Sequence, residues 1–69
     1  MNQKIIFTVD QDRVITATTL GLSRKMMADH LDMNFETFCG HLKIIFAKLG
    51  FHCIAELVSY ALKNGYDKL

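Results

Sequence analysis

The chain has no proline and only four glycines in 69 residues, and three of those glycines follow apolar segments. Proline interrupts helices, whereas glycine weakens a helix interior but suits the left-handed residue that ends a helix. Gly21, Gly50 and Gly65 therefore mark predicted helix ends, and the segments between them can form uninterrupted helices. This spacing predicts an all-α fold of four short helices.

Residues that can accept a hydrogen bond from the first helical turn precede the first three predicted helices. The predicted helices span about residues 10–20 after Thr8 or Asp10, from Ser23 to about Leu31, from Phe35 to Leu49 after Asn34, and from about Cys53 to Lys63. The segment from Lys4 to Val9 is apolar and β-branched, so it could be extended or form a short strand.

The third predicted helix has the clearest 3.6-residue periodicity. One of its faces carries Phe35, Phe38, Leu42, Ile45, Phe46 and Leu49. We predict that Phe38, Leu42, Ile45 and Leu49 are buried. The other predicted inward residues are Val14, Ile15 and Ala17 in the first helix, Met26, Met27 and Leu31 in the second, and Ile54, Leu57, Val58, Ala61 and Leu62 in the fourth. Cys53, Leu57 and Tyr60 extend onto the adjoining face of the fourth helix.

Length and composition limit the class of protein. Residues 1–69 make a single domain, near the size where one core is marginal, and a hydrophobic fraction of 51% compensates. Asp10 interrupts the N-terminal apolar run, so no signal peptide is expected, and no segment reaches the ~20 apolar residues that span a bilayer. With only two cysteines, the chain is expected to be cytoplasmic, with no membrane contact.

The net charge of +1 does not indicate a dedicated nucleic-acid binder, which usually has a strongly basic surface. Any DNA binding must therefore depend on a few placed residues or on a dimer.

Short motifs follow one another at defined spacing between residues 7 and 66. In chain order they are Phe7-Thr8-Val9, Val14-Ile15, Gly21-Leu22-Ser23, Met27-Ala28, Leu31, Thr37-Phe38-Cys39-Gly40-His41, Lys48-Leu49-Gly50 and Ala55-Glu56-Leu57-Val58. Together they resemble the LuxR-type helix-turn-helix domain, the family that includes stand-alone GerE-like regulators. The resemblance implies a four-helix domain that binds promoter DNA as a homodimer. It implies that the recognition helix is residues 35–49, braced by the helix before it.

The same resemblance implies which residues contact DNA. Bases would be contacted from the positions of Cys39, Gly40 and Lys43, and a phosphate from Thr37. The full predicted set is Ser23, Arg24, Lys25, Thr37, Cys39, Gly40, Lys43 and Lys48. Ser23, Arg24 and Lys25 would form a phosphate clamp at the start of the second helix.

Ordinary structural roles remain open for several of these residues. Lys43 could be a solvated lysine, and Thr37 could be a second capping residue. The charges at the start of the second helix could simply be solvated. The resemblance gives His41 a structural role beside the helix crossing.

The sequence departs from the family pattern on the predicted DNA-facing surface. Asp32 stands where glycine is usual, and Glu36 where a basic residue is common. Helical geometry places Glu36, Gly40, Lys43 and Ala47 in one stripe opposite the core. The charges of Glu36 and Lys43 cancel within this stripe, and Gly40 costs the helix ~1 kcal/mol relative to alanine.

Homodimerisation through the fourth helix would use Cys53, Leu57 and Tyr60, since an exposed apolar cluster on a small domain often marks an association surface. The alternative is that Leu57 and Tyr60 pack within one chain against residues 5–7. A second functional hypothesis is a protein-interaction module or anti-regulator that pairs with a LuxR-type protein and has weak or no DNA binding. The neutral stripe and the exposed Ile44 at its edge favour that hypothesis.

Metal binding and catalysis have little support. The candidate ligands are His30, His41, His52, Cys39 and Cys53. Their spacing matches no usual zinc pattern, and the adjacent His52 and Cys53 could not easily reach one tetrahedral ion. No paired carboxylates, phosphate-binding loop or nucleophile motif occurs. We therefore expect no enzyme activity, no cofactor and no small-molecule ligand.

Overall fold

The computed structural model describes residues 5–68, which contain four α-helices and no strand. The helices are α1 (Val9–Ala17), α2 (Arg24–His30), α3 (Phe35–Leu49) and α4 (Ile54–Lys63), and a 3-10 turn at Thr18–Leu20 continues α1. The all-α prediction is confirmed. The sequence left open whether the segment from Lys4 to Val9 is extended or a short strand. Residues 5–8 are neither helix nor strand, and Val9 is the first residue of α1. Lys4 lies outside the described residues.

The helix starts follow the predicted caps. The capping side chains accept from backbone N–H groups: Thr8 from Gln11 at 3.1 Å, Ser23 from Met26 at 3.2 Å and Asn34 from Thr37 at 2.8 Å. α1 begins at Val9, so its cap is Thr8 and not Asp10. The Gln11 amide oxygen completes a capping box by accepting from the Thr8 backbone N–H at 3.0 Å. Each bond satisfies a donor that the first helical turn would leave unpaired.

Left-handed residues end the helical segments. Gly21, Gly50 and Gly65 have φ angles of 73°, 71° and 75°, which confirms the predicted helix ends. Between α2 and α3 this conformation belongs to Asp32, with φ 58°. The Met33 N–H donates to the Ala28 carbonyl at 2.9 Å and closes the turn. The left-handed conformation costs ~1–2 kcal/mol without glycine, and aspartate is among the residues that tolerate it best.

The core lies where α1 packs against α2, α3 and α4. Its buried hydrophobic residues are Val14, Ile15, Ala17, Met27, Ala28, Leu31, Phe38, Leu42, Ile45, Leu57 and Ala61. The predicted burial of Phe38, Leu42 and Ile45 is confirmed. Leu49 is only half-buried at the edge of the core, because it lies in the last turn of α3.

Three predictions of inward residues are wrong. Met26 is exposed, because the short α2 turns Met27 and Ala28 toward the core instead. Phe35 begins α3 and lies beyond the edge of the core, with 47% of its surface exposed. Leu62 is 49% exposed, since the buried side of α4 is centred on Leu57 and Ala61.

No single helix within residues 5–68 has the length and apolar composition needed to cross a membrane, although α3 and α4 together, across a 70° bend, satisfy both.

The C-terminal turn docks onto α1 through Tyr66. The Tyr66 hydroxyl donates to the Asp12 carboxylate at 3.0 Å, and its ring lies beside that of Tyr60, with 6.3 Å between centroids. Partial burial, followed by the hydrogen bond to Asp12, raises the pKa of Tyr66 from 10.0 to about 12.

This docking predicts an alkaline loss of stability. Because the folded pKa lies above the unfolded one, Tyr66 contributes stability that is complete below pH 10.0 and is lost as the pH rises toward about 12. Phenolate absorbance of the Tyr60→Phe variant should report Tyr66 alone, with a raised midpoint that Asp12→Asn lowers. A midpoint near 10.0 while circular dichroism still shows folded helices would contradict the docking.

Candidate nucleic-acid interface

The outward face of α3, which we define as Glu36, Gly40, Lys43, Ile44 and Ala47, is exposed along its length. The predicted stripe opposite the core is therefore confirmed, and Ile44 at its edge is 47% exposed. The buried Phe38, on the opposite side of α3, anchors the helix in the core. This face mixes one acidic and one basic side chain with small and apolar ones.

Three basic side chains on α2 and α3 have no carboxylate partner among residues 5–68. Arg24, Lys25 and Lys43 are exposed, and the only ion pair within residues 5–68 joins Arg13 to Asp10 at 3.4 Å. Basic groups of this kind can contact phosphate oxygens without first breaking a protein ion pair. Arg24 and Lys25 give the start of α2 a local positive charge, whereas Glu36 offsets Lys43 on the outward face of α3.

The helix starts place two hydroxyl side chains beside these charges. Asn34 is the side-chain cap of α3, so Thr37 remains exposed on the first turn of that helix. The Ser23 hydroxyl is exposed and accepts from Met26. Both residues are exposed to solvent. The roles of Ser23 and Thr37 as DNA ligands stay predictions.

Cys39 and Lys48 are less suited to the interface than the sequence suggests. Cys39 is half-buried and packs against the core. The Lys48 ammonium donates to the Ile6 carbonyl at 2.9 Å and to the Gln11 amide oxygen at 3.0 Å, and it lies 5.2 Å from the centroid of the Phe7 ring. Lys48 thus holds the N-terminal segment against α3, a role that sequence reasoning missed.

The predicted dimer surface on α4 is wrong in its central residue. Leu57 is completely buried in the core of one chain, so it cannot contact a second copy while the domain is folded. Tyr60 is half-buried and packs edge-on against Phe51, with 6.0 Å between ring centroids. Cys53 is exposed. Packing within one chain therefore accounts for Leu57 and Tyr60, mainly through the core and the aromatic neighbours.

Glu56 has a capping role that the motif search did not identify. Its carboxylate accepts from the His52 backbone N–H at 2.7 Å and from the Cys53 backbone N–H at 3.3 Å. The bond from His52 is the largest cause of a pKa for Glu56 below its ordinary value. The Cys53-x-x-Glu56 spacing was the available signal, since a glutamate three residues after the cap can complete a capping box.

In the part of the chain that the structure describes, no group of three or more His, Cys, Asp or Glu side chains could hold a metal ion. Cys39 and Cys53 are free thiols.

Part of the chain is similar to known proteins. A stretch of 41 residues, 59% of this chain, is 46% identical to the Fimbriae Z protein of Escherichia coli strain K12. A stretch of the same length is 44% identical to the Fimbriae Z protein of Salmonella typhimurium. The alignments cover 20% of each relative, so the chain matches about a fifth of their length. No family model matches the chain, and no solved structure matches it.

Proposed function

We propose that this chain is a small bacterial regulatory protein of the LuxR type that binds promoter DNA through the outward face of α3. The main support for the proposal is that α3 is fixed to the core along one side and exposed along the other. The turn at Asp32 joins it to α2, its inner side is fixed by Phe38 and Ile45, and its outer side is exposed over the whole helix. A helix held in this way can enter a major groove while the preceding helix contacts the backbone.

In this proposal the contacts divide by type. Lys43 contacts a base edge or phosphate from the middle of α3, and Gly40 allows close approach of the DNA. Arg24, Lys25 and Thr37 contact phosphates, which position the helix without selecting sequence. The protein acts in the cytoplasm and needs no cofactor. The partial similarity to the Fimbriae Z proteins is compatible with a regulatory role.

The binding of one domain is expected to be weak, because Glu36 repels phosphates on the same face of α3 from which Lys43 attracts them. A homodimer would double the number of contacts. Its interface on α4 would use the exposed Leu62 with the small neighbours Ala55 and Ser59, in place of the buried Leu57.

Charge changes on α3 test DNA binding. Lys43→Ala should weaken binding and reduce the slope of log affinity against log salt by about one, because one phosphate contact and its released counterion are lost. Glu36→Lys should strengthen binding, because it removes a repulsive charge and adds an attractive one. Fluorescence anisotropy with labelled duplex DNA over a range of salt concentrations measures both effects.

Lys68→Ala is the matched control, since it removes one exposed positive charge at the C-terminal end of the chain. If Lys68→Ala and Lys43→Ala lower the affinity for DNA equally, binding depends on net charge and not on a specific contact from α3. Binding that is indifferent to both α3 substitutions would contradict the proposal.

The second candidate function is a protein-interaction module that pairs with a LuxR-type regulator and binds DNA weakly or not at all. The cancelling charges of Glu36 and Lys43 and the 47% exposure of Ile44 favour this candidate. It predicts no steep salt dependence with DNA, so the same anisotropy titration separates the two functions.

A further inference from the structure

Gly40 has no structural reason within a single chain to be glycine. It lies in the interior of α3, and its φ is not among the positive values that favour glycine. A Cβ atom added there would meet no atom of residues 5–68 within 4 Å. Alanine would therefore fit and would favour the helix. Because glycine has no side chain, it allows the backbone of another molecule to approach this exposed position closely.

The charges on either side of Gly40 are self-complementary. Glu36 and Lys43 lie on the same side of α3 about two turns apart, or roughly 10.5 Å along the axis. Neither forms an ion pair within residues 5–68. Their midpoint falls beside Gly40. If two α3 helices pack antiparallel about a two-fold axis at this point, each Glu36 lies opposite the Lys43 of the other copy.

We propose that the outward face of α3 binds the same face of a second copy of this chain, antiparallel and centred on Gly40. The absence of a side chain at Gly40 allows the two helices to approach closely at their crossing point. Ile44, next to Gly40, supplies apolar area that is otherwise exposed. Two Glu36–Lys43 pairs fix the antiparallel direction, since a parallel pairing in register would place like charges together. One helix face is a small interface, so the dimer is weak and concentration-dependent.

The dimer would cover the surface assigned to DNA. Association of the α3 faces and DNA binding would then exclude each other, and a rising protein concentration would withdraw the protein from DNA. This consequence rests on the proposed function, whereas the dimer itself does not.

Charge reversal tests the dimer by sedimentation equilibrium of the whole chain. Glu36→Lys and Lys43→Glu should each weaken association roughly tenfold, because two attractive pairs become two repulsive pairs. The double variant Glu36→Lys with Lys43→Glu should restore association. Gly40→Leu should stay helical by circular dichroism and become monomeric. Lys63→Glu, the same charge reversal at an exposed position on α4, should leave this association unchanged.

Several results would overturn the dimer. The first is a wild-type chain that stays monomeric at high micromolar concentration. The second is a single charge-reversal variant that associates as strongly as the wild type. The third is a double charge-reversal variant that stays monomeric. DNA anisotropy below the dimerisation range gives a separate readout. Loss of DNA affinity in Lys43→Ala without any dimer would leave the proposed function standing, and a dimer with no DNA binding would refute that function alone.

Discussion

Replacing Phe38 with alanine is expected to destabilise the domain by about 3–5 kcal/mol. Phe38 is completely buried and lies among the largest buried side chains of the core. Its removal both loses transfer free energy and leaves a cavity. A domain of 69 residues has a total stability of roughly 3–10 kcal/mol. Most of the folded population should therefore be lost, as urea or thermal unfolding followed by circular dichroism would measure.

Phe35→Ala is the matched control for this experiment. It makes the same chemical change in the same helix, at a side chain that is 47% exposed. We expect it to cost no more than about 1 kcal/mol, because exposed positions away from special features change stability little. Equal destabilisation by the two variants would mean that the buried side of α3 is wrongly assigned.

Leu57→Glu is expected to unfold the domain. Leu57 has no exposed surface and lies in the core of the single chain. A carboxylate at this position would be buried without a partner, which costs far more than a small domain can absorb. Circular dichroism should show loss of helix, and sedimentation should find no compact monomer. Had Leu57 lain on an exposed dimer surface, as the sequence suggested, the same substitution would instead give a folded monomer.

Leu62→Glu provides the comparison. The substitution and the helix are the same, but Leu62 is 49% exposed, so this variant should remain folded. If Leu57→Glu were instead a stable, helical monomer, the orientation of α4 would be wrong. Leu57 would then belong to a dimer surface, as the sequence predicted.

The helix boundaries could be predicted because their signals are local. A cap such as Asn34 acts on a backbone donor three residues away, and Gly50 acts on the turn that contains it. Neither signal depends on the rest of the fold. The helical face of α3 was also clear, since its apolar residues other than Ile44 and Ala47 cover less than half of its circumference.

The orientation of α4 could not be predicted in the same way. Its apolar residues cover more than half of the helix, from Tyr60 through Ala61 to Leu62, so periodicity alone allows several inward directions. Packing against α1 and the turn after it selects the direction centred on Leu57. The short α2 posed the same difficulty for Met26.

The sequence could predict which face of α3 is exposed, but not the contacts of each candidate DNA-binding residue. The exposure of Glu36, Gly40 and Lys43 followed from helical geometry. The engagement of Lys48 did not, because it depends on an N-terminal segment that is distant in sequence. Motif matching treats Lys43 and Lys48 alike, whereas the structure gives the Lys48 ammonium partners within the chain.

The most direct test of the outward face of α3 as the DNA-binding surface is a chemical-shift titration. Nitrogen-15-labelled protein would be mixed with duplex DNA at low salt, at a protein concentration below self-association. We predict that the largest amide shifts occur at Glu36, Gly40 and Lys43, with smaller shifts at Arg24 and Lys25 and none along α4. Shifts confined to α4, or no shifts at any DNA concentration, would contradict this account.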